Sequence, residues 1–171
     1  MAHSAVSLVM MLQKDVLFFH AASVAIGERG VLIFGAKGAG KTTLSLSLAG
    51  RGHAFLGDEY AAVSAIDFRL FPFRRTASIR EGPRHERVDA FLSGQRCQME
   101  VNADGTTRRR APVGAIFPDA APRPALLTHA FFLRRFASRP GTEPFRSGME
   151  SLSLLAPLLC TVWGVRREKE F

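Results

Sequence analysis

The chain has 171 residues, 47% hydrophobic and 22% charged, with a formal net charge of +8. This composition excludes a disordered chain, and the length suits one domain with its own core plus at most a subdomain of about 30–40 residues. Arginine carries nearly all the positive charge, because Lys14, Lys37, Lys41 and Lys169 are the lysines; the charge reads either as attraction to polyanions or as a solvated basic surface, and without a nucleic-acid-binding motif a nucleic-acid partner is not expected.

Ala5 to Leu12 suits a short apolar helix ending near Lys14. The stretch Ala2 to Phe19 has no basic leading region and is interrupted by Lys14 and Asp15. It is therefore expected to be neither a secretory signal nor a membrane span, and a cytoplasmic chain is expected. Val16 to Phe19 reads as a strand followed by His20, and Ser23 to Ile26 as a second short strand. Gly27 to Gly30 has turn chemistry. Val31 to Phe34 is an unbroken apolar run, the pattern of a strand buried on both faces. Lys41 to Ala49 reads as a helix stopped by Gly50 and Gly52, although Leu44, Leu46 and Leu48 alternate at period two. Ala54 to Leu56 suits a buried strand, Tyr60 to Ile66 an extended segment and Asp67 to Arg69 a turn.

From Phe71 to Gln95 the arginines, prolines and glycines predict a basic, loop-rich segment, with one helical turn at Val88 to Leu92. Cys97 to Val101 and Thr107 to Arg110 flank Ala103-Asp104-Gly105 as a hairpin. Pro112 to Pro124 reads as connection and Ala125 to Phe136 as a strand. Ser147 and Glu150 form a capping box for a helix over Met149 to Cys160, which Pro157 should end or kink. Arg166 to Lys169 is a charged tail. Cys97 and Cys160 have no metal or redox spacing and are expected to be reduced thiols.

Gly35-Ala36-Lys37-Gly38-Ala39-Gly40-Lys41-Thr42 matches G-x-x-x-x-G-K-[ST], between a buried apolar run and a helical segment. Glycines let successive amides turn inward around phosphate oxygens, and the helix N-terminus adds amides and partial positive charge. Lys41 would reach the β- and γ-phosphates and the Thr42 hydroxyl would ligate Mg²⁺. Thr43 lies beside the loop, and Lys37 either adds a phosphate contact or is solvated. The expected ligand is a nucleoside triphosphate with magnesium, and the absence of an N-K-x-D guanine motif favours ATP.

Phosphoryl transfer also needs an acid for the metal and a base or orienter for the attacking oxygen. Asp58-Glu59 follows Lys41 by 17 residues and ends the run Ala54 to Leu56. If that run lies beside Val31 to Phe34, Asp58 reaches the metal at the carboxyl edge of the sheet. Otherwise the pair is two surface acids in a turn. His20 is either structural or, if its strand neighbours the loop strand, a group close to Asp58.

His20-Ala21-Ala22-Ser23, Gly30 to Gly35, Gly38 to Leu44 and Arg51 to Glu59 together resemble the HPr kinase/phosphorylase family, and more closely its shorter HPr-kinase-related members. The resemblance covers about 45 residues, His20 to Val63. It implies an α/β fold in which a mixed sheet packs with helices, similar to the nucleotide-binding part of phosphoenolpyruvate carboxykinase. It implies that Asp58 serves the metal and acts as base, that Glu59 stands for a second acid at the metal, and that His20 lies near them. It also implies a homo-oligomer and phosphotransfer from ATP to a hydroxyl of a small protein or small molecule. The family's glycine-rich signature with a further glutamate has no counterpart here, nor has its N-terminal domain. Residues 1–171 are thus expected to form one nucleotide-binding domain, best defined over 16–66, with a C-terminal subdomain at about 112–171. A nucleotide-dependent switch or assembly factor of the same fold is the alternative. Arg74, Arg75 and Arg80 are read as either phosphate-holding or solvated.

Overall fold

The computed structural model describes residues 8–73, 76–80, 86–94, 96–101, 105–134 and 141–160. Arg74, Arg75, the turn residues Ala103 and Asp104, and the tail Arg166 to Lys169 lie outside them. The elements follow in chain order: α1 over 8–12, β1 Val16–Phe19, β2 Ala22–Ile26, β3 Arg29–Gly35, α2 Lys41–Ala49, β4 Ala54–Gly57, β5 Ala61–Ser64, β6 Arg69–Phe71 and β7 Thr76–Ile79. Then come α3 Glu86–Ser93, β8 Gln98–Val101, β9 Thr107–Pro112, α4 Val113–Ile116, β10 Ala125–Leu133, α5 Gly148–Leu155 and a 3₁₀ turn at Ala156–Leu158.

Seven strands form a mainly antiparallel sheet in the order β1-β5-β6-β10-β3-β2-β4, and β7-β9-β8 form a small second sheet. Among the described strands β3 and β10 are the one parallel pair. The short connections dictate the shape of the large sheet. β1 and β2 stand five places apart in the strand order, which is about 24 Å in a flat sheet at ~4.8 Å per strand. Phe19 and Ala22 are three residues apart, a reach of at most about 11 Å. Gly57 and Ala61, joining β4 to β5 across the same number of places, have a reach of about 14 Å. Both links close only if the sheet curls. The ends of β1 and β4 and the starts of β2 and β5 then meet at one seam.

The inside of the curl is filled by Leu32, Phe34, Leu56, Val63 and Leu70, plugged by Leu155 and Leu158 from the C-terminal helix and turn. Phe34 stacks on Phe132 with ring centroids 4.8 Å apart, tying β3 to β10. Helix α2 covers the outer face of β2 and β3 through Leu48 against Val24, Val31 and Ile33. Its other side meets Phe55, the small sheet, α3 and α4 through Leu46 and Ala49. Each large apolar side chain fully buried in these clusters contributes about 1.5–3 kcal/mol.

The helix over Lys41–Ala49 has the expected bounds, and the period-two leucines do not make a strand: Leu46 is buried and Leu44 is 37% exposed. Elsewhere the structure differs from expectation. The turn before β3 is confined to Gly27-Glu28, and Arg29 and Gly30 belong to the strand. The segment expected to be loop-rich after Phe71 contains β7, and α3 extends the single expected turn to Glu86–Ser93. Arg69 belongs to β6 rather than to a turn. The proline-rich connection holds α4, whose Val113 and Ile116 are buried. The C-terminal helix stops at Leu155, and Pro157 lies in the 3₁₀ turn. Its Ser147 cap forms: the Glu150 amide donates to the Ser147 hydroxyl at 3.2 Å, while the Glu150 carboxylate accepts at 2.8 Å from the Arg146 amide, one residue before the cap position of a capping box. β8 and β9 pair as the expected hairpin. No helix among the described residues is long and apolar enough to cross a membrane.

Candidate functional site

The site begins where β3 runs out. Gly35 ends the strand at φ 152°, where a Cβ would meet the Leu133 carbonyl oxygen at 2.9 Å and Ala39 Cβ at 3.0 Å. Gly38 and Gly40 have φ 89° and 95°, in the left-handed region that favours glycine. Gly40 is the N-cap of α2 and brings no side chain to cap it, and the first amides of a helix have no partner within it. Ala36, Lys37 and Gly38 are exposed, Ala39 and Gly40 half-buried. Thr43 is exposed on the first turn of α2.

Lys41 folds back over the loop, its Nζ donating to the Gly35 carbonyl at 2.6 Å and the Ala36 carbonyl at 3.2 Å. Burial holds its pKa below the ordinary value; nearby Asp58 opposes that shift and Arg80 adds to it. Thr42 Oγ1 lies 3.1 Å from both Oδ1 and Oδ2 of Asp58. Asp58 is 2% exposed and also accepts the Ser78 amide at 3.2 Å on Oδ2. Its pKa is raised, because burial outweighs the hydrogen bonds from Ser78 and Thr42, and Glu59 adds repulsion.

Topology explains how Asp58 arrives there. β4 does not lie directly beside β3, the condition under which Asp58 would reach the metal: β2 stands between them. Two antiparallel steps restore the direction, so β4 runs parallel to β3 and both point their carboxyl ends at one rim. There the chain turns tightly. The Tyr60 amide donates to the Asp58 carbonyl at 2.8 Å across Glu59, whose φ is 69°. This is a γ-turn of the strained hand, of a kind that costs of order 1–3 kcal/mol and clusters at functional sites.

Glu59 is drawn to the small sheet rather than to Thr42. Its carboxylate meets Arg108 at 3.7 Å and Arg110 at 3.5 Å, and Arg110 also binds Glu100 at 2.8 Å. His20 follows β1, a strand at the far end of the sheet order rather than a neighbour of β3. The curl, not adjacency, brings it to the seam. There its ring meets Tyr60 edge-on at 6.3 Å. Surrounding protein and Lys41 hold its pKa down, against Glu59.

The structure thus gathers Gly35 to Thr42, Asp58, Glu59 and His20 along one rim. It adds three groups the sequence reading missed: the Ser78 amide, Arg108, whose Nη1 donates to Ser78 Oγ at 3.2 Å, and Arg110. A backbone amide leaves no mark in a sequence. The period-two spacing of Arg108 and Arg110 on a strand was the available signal for the other two.

Fold and site together define a mixed α/β protein, with a glycine- and lysine-bearing loop at a helix N-terminus facing a buried aspartate. No family model matches the chain, and no curated protein matches it. Among solved structures it is similar to the Hpr(Ser) kinase/phosphatase from Coxiella burnetii, at 22% identity and a TM-score of 0.40 over 67% of this chain. The match spans 63% of that chain's length.

Proposed function

We propose that this chain is an ATP-dependent phosphotransferase of HPr-kinase-like fold, with Gly35 to Thr42 as its phosphate-binding loop and a hydroxyl as its acceptor. The observation that carries the reading is the hydrogen bonding of the Thr42 hydroxyl to buried Asp58, at the first turn of a helix that no side chain caps. Hydroxyl and carboxylate oxygens are the hard donors magnesium prefers. No group of three His, Cys, Asp or Glu among the described residues could hold a metal; magnesium bound here would keep waters and take phosphate oxygens as ligands. A Cβ at Gly38 would meet nothing within 4 Å, so the loop has open space on that side.

In this reading the loop amides and the α2 N-terminus bind the phosphates, and Lys41 exchanges its loop carbonyls for the β- and γ-oxygens. Thr42 and Asp58 would hold the ion, with Glu59 as the other acid beside them. Bound magnesium would neutralise charge on the transferring group. Asp58, its carboxyl raised by burial, orients the acceptor hydroxyl or takes its proton. His20 helps position the Asp58-Glu59 corner. A cytoplasmic location, where reduced thiols such as Cys97 and Cys160 persist, and a homo-oligomer accompany this reading.

One observation favours the second reading, a nucleotide-dependent switch with little transfer. Asp58 is 2% exposed and already accepts from Thr42 and Ser78, which leaves an acceptor hydroxyl little access to its oxygens. The test is γ-labelled ATP with a lysate of the host, using wild type, Asp58→Asn and Lys41→Ala. Transfer predicts a labelled acceptor that disappears in Asp58→Asn, whereas nucleotide binding without any labelled acceptor supports the switch. Calorimetry should show Lys41→Ala weakening ATP by about tenfold or more, as expected for a lost charge-assisted contact. Unchanged ATP affinity in that folded variant rules out the loop assignment.

A further inference from the structure

Asp58 lies between two different walls. On one side stand the loop and Thr42; on the other the small sheet supplies the Ser78 amide. The small sheet turns an arginine face to this seam. Ser78 pairs with Arg110 and Ile79 with Arg109, so continuing the register by one residue sets Arg80 opposite Arg108. Ile79 is buried in the core beneath, which puts Arg80 on the face of Ser78, where Arg108 already donates to the Ser78 hydroxyl. Like charges directly opposite on neighbouring strands repel. Among the described residues Glu59 and Glu100 are the carboxylates paired to Arg108 and Arg110, and Arg108 Nε is buried with no hydrogen-bond partner. Arg80 is exposed, with its charge felt by Lys41. A buried guanidinium nitrogen without an acceptor, beside a second guanidinium, is the environment an oxyanion relieves with charge-assisted contacts.

We infer that Arg80 and Arg108 form an anion site across Asp58 from the nucleotide loop, and that the acceptor hydroxyl compound therefore carries an oxyanion group of its own. This rests on the phosphotransferase reading for the word acceptor, but the anion site itself does not. The nucleotide's charge is met on the loop side by Lys41 and the α2 N-terminus, leaving the arginine face for the second substrate. Guanidinium planes suit a phosphate or carboxylate through paired N–H donors.

The test uses the full chain with its loop filled by magnesium and a non-hydrolysable ATP analogue, and inorganic phosphate as probe in calorimetry. Wild type should bind phosphate under these conditions. Arg80→Gln, a surface change that leaves folding alone, should weaken phosphate about tenfold or more while moving the analogue by less than about twofold. Arg108→Gln should weaken phosphate likewise. No phosphate binding to the filled protein, or binding as tight as wild type in either variant, overturns the inference. Arg80→Gln weakening the analogue as much as phosphate overturns it too, since the arginines would then serve the nucleotide. If wild type does not bind the analogue, the phosphotransferase reading fails separately. Phosphate is then titrated into Lys41→Ala protein: binding kept there and lost in Arg80→Gln upholds the arginine site, and the opposite pattern overturns it.

Discussion

Asp58 pairs strong donors with deep burial, and burial wins: its carboxyl sits above the ordinary range. A raised carboxyl favours the protonated form in the fold. Between the ordinary carboxylate pKa and the raised one the folded protein holds more proton than the unfolded chain, so stability falls as pH rises through that window. The deficit is complete above it. Asparagine carries no such charge, and its amide can still accept from Ser78 while its NH₂ donates to Thr42 Oγ1. Asp58→Asn should therefore melt higher than wild type at pH 7 without ligand, by about 2–4 °C for each kcal/mol recovered in a chain of this size. The gap should close as pH falls into the ordinary carboxylate range. A variant melting at or below wild type at pH 7 would contradict this account of Asp58. At this scale the sequence was partly legible. Lys41, Thr42 and Asp58 announce themselves through side-chain type and spacing. The Ser78 amide, which fixes the Asp58 carboxylate, does not, and Arg108 is hidden among many arginines until the strand register is known.

Between elements, the contact that aims Asp58 is the approach of β4 to the chain after β6. The Phe73 amide donates to the Leu56 carbonyl at 2.8 Å, and a Cβ on Gly57 would stand 2.4 Å from the Phe73 carbonyl oxygen and 2.9 Å from that of Tyr60. Neither oxygen belongs to a flexible side chain, so backbone must move. Gly57→Ala should cost about 1–3 kcal/mol, the usual range for overfilling a packed site. It should also weaken nucleotide binding by shifting Asp58 away from Thr42. Thermal melting with calorimetry on the same sample checks both, and an alanine variant equal to wild type in each would refute the close approach. Helix α2 was readable because its glycine-rich entry and Gly50 exit bracket it. Strand β7 was not: Thr76-Ala77-Ser78-Ile79 has no strong alternation, and it becomes a strand by pairing with β9. Helix α4 has four residues, too few for a periodic signal, and its burial against the α2 core defines it.

Across the whole molecule, the sheet order could not be read from the sequence, and it places the site. Sequence alone left open whether β4 or β1 neighbours β3, because nearness along the chain does not fix which strands pair. The chain instead inserts β2 beside the loop strand and reaches far ahead for β10 on the other side. His20 meets the acidic corner because the sheet curls, a property of the connections as a set rather than of any residue. The excess of arginine, ambiguous as composition, acquires a location once β9 is paired with β7 and β8.

The pairing of β3 with β10 joins Arg29 to Leu126 and Gly35 to Leu133, residues 97 and 98 positions apart. Closing so long a loop is entropically costly, and contacts of such separation slow folding. During synthesis the glycine loop therefore emerges long before the strand that braces its first residue, Gly35. On the proposed function, nucleotide capture would be among the latest properties a nascent chain acquires, after its local hairpins have formed.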